Sequence, residues 1–474
     1  MFGREIGKSR LFQLSNRTSL SYNGYMWVTC THYTETRRGP MFNKRKWYAL
    51  LICSMAALTA CSGGKDDNPG SAALEKPKEP ITLTIHGGGV TEEEFNSRFK
   101  EVLGKKFPHI TVNYVINAKG TMVPEMVAAG TIPDIIRTDI STLLSNYLDL
   151  GLGEDLTPYV KKYNYDLARF NKVFMDELVA LGRSNALYGL PVPPYFPHVL
   201  YYNKDLFDKF GVRYPRDGMT WDEVYELAKQ MTRIDNGVAY RGFSFNPGAT
   251  LRDNPYSLPI LDPNADKLAD QEKWKLIFEN YLRFFQIPGN EIAANNSAEA
   301  GMFGKGTVAM QVNQHSVYQN IPPEVKYDYV AFPSMSGAPK LMPQRGPAYF
   351  SITKQSKHKD EAFQVVLEML SDEIQMKDSL AGLPTTLASK PIQDALGKEH
   401  AVYGKVNMNA LNANQPAPFT PKRKAELPDV AGATQLALLY QSFFDAAQGK
   451  TDLNSALRQL DEKLKLEVDK ERKK

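Results

Sequence analysis

The chain has 474 residues, with 57 Lys and Arg against 53 Asp and Glu, 42% hydrophobic residues and three cysteines. A formal charge of +4 on this length gives no argument for nucleic acid as a partner. So few cysteines exclude a disulfide-built scaffold and leave the fold to its hydrophobic core, for which the length is ample, with room for two domains.

Residues 1–40 show no sustained apolar periodicity and read as an upstream extension ahead of a true start at Met41. The basic cluster Lys44-Arg45-Lys46 is followed by an apolar stretch from Trp47 to Ala57 and then Leu58-Thr59-Ala60-Cys61. A basic region, an apolar region and small residues before a cut make a signal peptide over 41–60. Its ending resembles the lipobox of bacterial lipoproteins. That resemblance implies diacylglycerol on Cys61, which becomes the mature N-terminus and anchors the protein to the outer face of the cell membrane. Two acyl chains suffice for stable anchoring. Residues 1–60 hold nine bases and two acids, so the remainder carries 48 against 51, a net charge of −3. Residues 61–80, mostly Gly, Asp, Lys, Glu and Pro, read as a disordered tether.

Order is expected from Ile81-Thr82-Leu83-Thr84-Ile85, which alternates like a strand and runs into the turn His86–Gly89. Thr91-Glu92-Glu93-Glu94 is a capping-box pattern opening a helix that ends before Pro108. Ile110–Val115 is a strand, Met122–Ala129 a helix, and Asp134-Ile135-Ile136 a strand. Strands alternating with helices predict an α/β fold with a parallel sheet, whose ligands gather at the carboxyl ends of the strands. That rule selects His86, Arg137 and Asp139. Further helices are expected over Trp221–Met231, with Thr220 and Glu223 as a second capping box, and over Lys273–Phe285, Asp360–Leu370 and the C-terminal stretch from Asp452. Trp221 and Trp274 sit in helical patterns and read as core.

Several stretches in order, Tyr188-Gly189-Leu190-Pro191, Leu200-Tyr201-Tyr202-Asn203-Lys204-Asp205-Leu206-Phe207, Thr220-Trp221-Asp222-Glu223 and Phe303-Gly304-Lys305-Gly306-Thr307-Val308-Ala309-Met310, resemble the extracellular solute-binding proteins of family 1. These are maltose-binding-protein-like receptors of ABC importers. The resemblance implies a two-lobed periplasmic-binding-protein-like fold of type II with a hinge between the lobes. It places lobe 1 at 81–189 plus 338–388 and lobe 2 at 190–337 plus 389–474, with crossings near Tyr188–Pro194, Ser336–Ala348 and Thr385–Lys390. It implies a non-catalytic receptor that takes an oligosaccharide ligand, partners ABC-importer permease subunits, works as a monomer and needs no cofactor or metal.

A sugar site needs rings for apolar C–H faces and fixed polar groups for hydroxyls. With both tryptophans of the mature chain assigned to the core, stacking falls to loop aromatics. The resemblance points to Tyr195 and Phe196 at the first crossing and to Tyr256 in a loop that carries a stacking ring in such receptors. Gln314 lies in the segment after Ala309-Met310, where Ser316 stands in place of a stacking tryptophan, which weighs against maltodextrin. Tyr349 follows Arg345-Gly346-Pro347. Arg137 and Arg345, if both face the cleft, would suit a uronate-bearing sugar through bidentate pairing. A secreted glycan-active enzyme is the competing reading, and it would need two carboxylates flanking one bond. A non-sugar solute is the competing reading within the receptor class. No HExxH, CxxC, GxSxG or P-loop motif is present, and the Asp262–Asp266 stretch lacks the Gly and Glu of an EF-hand.

Overall fold

The computed structural model describes residues 79–181, 186–424 and 426–473. The signal peptide at 41–60, Cys61 and almost all of the tether lie outside the described residues. Two separate sheets organise the rest. The first contains β1 (Ile81–Gly87), β2 (Ile110–Ile116), β3 (Ile135–Asp139), β4 (Leu190–Val192) and, far along the chain, a strand at Ala348–Ile352. The second contains β5 (Phe196–Asn203), β6 (Arg233–Asp235), β7 (Val238–Phe245), β8 (Val308–Gln314), β9 (Tyr327–Ala331) and β10 (Gln344–Arg345); the late strand of the first sheet is then β11.

In the first sheet the order is β2-β1-β3-β11-β4. Parallel pairing holds β1 to β2 and β3, and β11 closes antiparallel on β3 and β4. This places the carboxyl ends of β1 and β3 beside the start of β11, as the α/β pattern predicts. The helix Glu92–Lys106 packs Phe95 and Phe99 onto this sheet. Its start is half of the expected box: the Thr91 hydroxyl accepts from the Glu94 amide at 3.1 Å. At Thr220 the box is complete, with Glu223 Oε2 accepting from the Thr220 amide at 2.7 Å and Thr220 Oγ1 from the Glu223 amide at 3.2 Å.

The second sheet runs β10-β5-β8-β7-β6, with β9 also on β5. One face packs on an aromatic core of Trp221, Phe243, Phe245, Trp274, Tyr281, Phe284 and Phe443. Both tryptophans are core, at 2% and 0% exposure, as their helical spacing implies. The other face covers Val199, Tyr201, Phe303 and Tyr329. The helix Trp221–Met231 meets β7 so closely that Gly242 leaves no room for a side chain.

The first two passages between the sheets fall at the late end of the ranges expected from sequence, and the third falls beyond its range. Strand β4 stays in the first sheet, and the passage to β5 runs through the cis Pro193–Pro194 bond. Strand β10 still pairs with β5, so Gly346-Pro347 is the second passage, inside the expected range. The helix Lys390–Asp394 remains with the first core through Ile392, whose carbonyl accepts from the Ser379 hydroxyl, whereas Leu396 joins the second half. Among the described residues no helix is long and apolar enough to cross a membrane.

The Gly242 contact is testable. A Cβ there would lie 2.0 Å from the Ala228 carbonyl oxygen and 2.6 Å from its carbon, both backbone atoms that cannot swing away. Gly242→Ala should therefore cost about 3 kcal/mol or more in urea unfolding, the upper range of overpacking penalties. A loss below about 1 kcal/mol would show that the helix and strand are not held this tightly.

Candidate functional site

Strand register assembles the site. Arg345 pairs with Phe196 across β10 and β5, and His198 pairs with Gln314 across β5 and β8. Side chains two residues apart on a strand share a face, so Phe196, His198, Gln314 and Arg345 form one row. The same face carries Leu200 and Tyr202 into the aromatic core, and the row is its continuation toward the passages between the sheets. Phe196 is half-buried, with its ring centroid 6.2 Å from that of His315.

Asp253 ties the row to the end of the helix Pro247–Arg252. Its carboxylate accepts from Arg252 Nε at 2.7 Å and Nη2 at 2.7 Å, from His198 Nε2 at 3.0 Å and from Gln314 Nε2 at 3.3 Å. Burial alone would raise the Asp253 pKa, but attraction to Arg252 and these hydrogen bonds hold it far below the usual carboxylate range. For Arg252, burial pulls down and Asp253 pulls up more strongly.

The first lobe contributes Asp139 and Glu177. Asp139 caps the helix Ile140–Leu143, accepting from the Ser141 amide at 3.0 Å and from the Thr142 amide at 3.2 Å and hydroxyl at 2.8 Å. Glu177, at 4% exposure, accepts the Tyr349 hydroxyl at 2.6 Å, and its Oε2 would lie 3.1 Å from a Cβ at Gly346. Lys422 comes from an irregular segment moored to the second lobe by Ser257 Oγ to the Pro418 carbonyl at 2.6 Å and by Gln344 Nε2 to the Ala417 carbonyl at 2.9 Å. It reaches across, with Nζ 3.4 Å from the Ile140 carbonyl oxygen. Burial lowers Lys422 to about 8, against the pull of Glu177 and Asp139. Arg345, at the passage itself, is reached by solvent, and its guanidinium makes no hydrogen bond or ion pair with any described residue. Repulsion from Arg252 lowers its pKa, as does the partial loss of hydration where protein atoms crowd a side chain that solvent still reaches, while Asp253, Asp139 and Glu177 oppose them. Groups from both halves thus converge on it.

Of the residues chosen from sequence, Asp139, Phe196, Gln314 and Arg345 meet here. His86 is 2% exposed with both ring nitrogens engaged: Nδ1 is 2.7 Å from the Tyr147 hydroxyl and Nε2 2.9 Å from the Thr121 carbonyl oxygen. It pins the loop after β2. Arg137 points within the first lobe, donating to the Gly88 carbonyl at 2.9 Å, and its pKa falls to about 10 through burial and then repulsion by Arg98. It does not join Arg345. Tyr195 is buried against Phe174, with centroids 5.1 Å apart, and Met342. Tyr349 is fully buried on Glu177. Tyr256 lies half-buried on the aromatic core of the second lobe, its hydroxyl unpartnered. Arg252, Asp253, His198, Glu177 and Lys422 were missed. The Arg252-Asp253 adjacency at a helix end, one residue before Asn254-Pro255, is the signal that could have found the first two.

A depression in the first lobe, between Leu144, Gly153 and Tyr188, holds about 90 Å³, where ligand sites take ~300 Å³ or more. Among the described residues no group of His, Cys, Asp and Glu is placed to hold a metal ion.

Residues 89–376 match the model of the bacterial extracellular solute-binding proteins, well over half of the chain. The chain belongs to this family. The fold of this solute-binding protein is that of the ABC substrate-binding protein of Listeria monocytogenes solved with cycloalternan, at TM-score 0.60 and 19% identity, covering 81% of this chain and 98% of that one. It is equally that of the sugar-binding protein MalE of Xanthomonas citri, at TM-score 0.60 and 17% identity, covering 83% and 98%. An uncharacterized ABC transporter extracellular-binding protein of Pyrococcus horikoshii is 24% identical over 196 residues, 40% of this chain and 42% of its own.

Burial raises Glu177 of this solute-binding protein from 4.5 to about 7. Between those values the unfolded chain loses its proton while the folded one keeps it, so the folded state binds more protons and stability falls as pH rises. Glu177→Gln removes that loss. The variant should exceed the natural protein by about 2 kcal/mol at pH 8, with the difference gone below about pH 4. Urea unfolding at both pH values checks this, and an equal difference at the two would contradict it.

Proposed function

We propose that this protein captures an oligosaccharide between its two lobes and delivers it to the permease subunits of an ABC importer. It does so as a monomer held on the outer face of the cell membrane by diacylglycerol on Cys61. The observation that carries the sugar reading is the pairing of Phe196 with Arg345, with Gln314 on the same face and the buried His198 behind them, which sets a half-buried ring beside polar groups at the passage between the lobes. A ring for C–H faces next to donors for hydroxyls is what saccharide binding asks for. Cycloalternan in the Listeria protein and the sugar-binding name of the Xanthomonas protein agree with it.

The mechanism follows from having two separate cores. Ligand that touches both lobes favours the closed arrangement by its extra affinity for that state, and the passages act as the hinge. A glycan-cleaving role would need a general acid and a second carboxylate facing the ligand. Asp253 is occupied by four donors and Asp139 by three, which leaves Glu177 without such a partner.

A thermal-shift screen over a glycan panel, with product analysis of the same mixtures, tests the reading. Stabilisation without turnover is expected, and Phe196→Ala should weaken the binding about tenfold, as loss of one stacking ring does. Glycan cleavage, or affinity untouched by Phe196→Ala, would overturn it.

A further inference from the structure

We propose that the saccharide is acidic and that Arg345 receives its carboxylate. This rests on the sugar-receptor reading and narrows it. The charges at the passage between the lobes leave one side chain unmatched. The described carboxylates that act on Arg345 are each engaged by the protein: Asp253 by Arg252, His198 and Gln314, Asp139 by the helix it caps, and Glu177 by the Tyr349 hydroxyl. Of the cations, Arg252 is held by Asp253 through two parallel bonds, and Lys422 sits at 3.4 Å from a carbonyl, close to Glu177. Arg345 is left with its guanidinium donors unmet and open to solvent.

The surroundings separate Arg345 from an ordinary surface arginine. Arg252 from the second lobe is the strongest influence on its charge, and Asp139 and Glu177 act on it from the first. The charge of Arg252 thus bears on Arg345, while the one carboxylate bonded to either is spent on Arg252. An arriving anion relieves that repulsion. Its backbone is fixed by the β10 pairing to Phe196, so the guanidinium stands next to the ring offered to a sugar face. Gly346 beside it lies close against Glu177, whose carboxylate would stand 3.1 Å from a Cβ there. A planar fork of donors matches a carboxylate in two parallel bonds. A uronic acid residue presents that group on the ring stacked by Phe196. The partnership of Arg345 with Arg137 expected from sequence is replaced by its proximity to Arg252.

The test compares uronic-acid oligosaccharides with the same compounds after reduction of their carboxyls to alcohols, by calorimetric titration at low salt. The acid form should bind about tenfold tighter or more, the scale of a charged hydrogen-bond pair. Arg345→Gln should bring the acid-to-neutral ratio to within about twofold of one, and Arg345→Lys should retain part of it. Circular dichroism and the unfolding midpoint of each variant show whether it has folded. Equal affinity of the natural protein for both forms, preference for the neutral form, or a ratio that survives Arg345→Gln overturns the acidic-ligand inference alone. Binding of neither form, with no glycan in the screen stabilising the protein, overturns the sugar reading and this inference with it.

Discussion

The structure depends on one constraint: its two principal hydrophobic cores share no residue. One is built around Phe95, Phe99 and Phe350, the other around Trp221, Phe243, Trp274 and Phe443. Burial of these large apolar groups stabilises each half by itself. The halves are joined by short passages, whose own apolar contact is the small cluster of Phe174, Tyr195 and Met342. A hinge is the natural consequence, because moving the lobes costs few buried contacts.

The same constraint concentrates charge between the lobes. Polar side chains at strand ends lie beyond each core, where solvent and the opposite lobe both reach them. Asp253 shows how such a charge is tolerated. Its side chain is 7% exposed, and four donors compensate its lost hydration. Removing any donor would leave part of a buried carboxylate unmatched, so the arrangement is rigid. Rigidity in Asp253, Arg252 and Gln314 holds the wall beside which Arg345 and Phe196 stand at the passage.

Much of the fold was legible along the chain. The alternation at Ile81–Ile85, the box at Thr220 and Glu223, and the helical spacing of Trp221 and Trp274 are local signals, and each resolves into the element expected. Passages between lobes are less local. The helix at Lys390–Asp394 reads from sequence as part of the second lobe, but Ile392 packs in the first core. The site was legible only in part. Phe196, Gln314, Asp139 and Arg345 were selected by position at strand ends and passages, and they converge. Tyr195, Tyr349, His86 and Arg137 occupy similar positions but turn into the first lobe or the seam beside it, and sequence spacing does not distinguish the two faces of a strand end. Glu177 lies on a helix and Lys422 on an irregular segment more than two hundred residues away, and only tertiary packing brings them together.

The central claim is that ligand is held between lobes that close on it. Small-angle X-ray scattering on the protein freed of ligand, and again at saturation with a glycan that binds it, tests this most directly. The account predicts that the radius of gyration falls on binding and that the scattering curve shifts to that of a more closed two-lobed particle. A bound glycan that leaves both unchanged would place the ligand on one lobe alone and contradict the account.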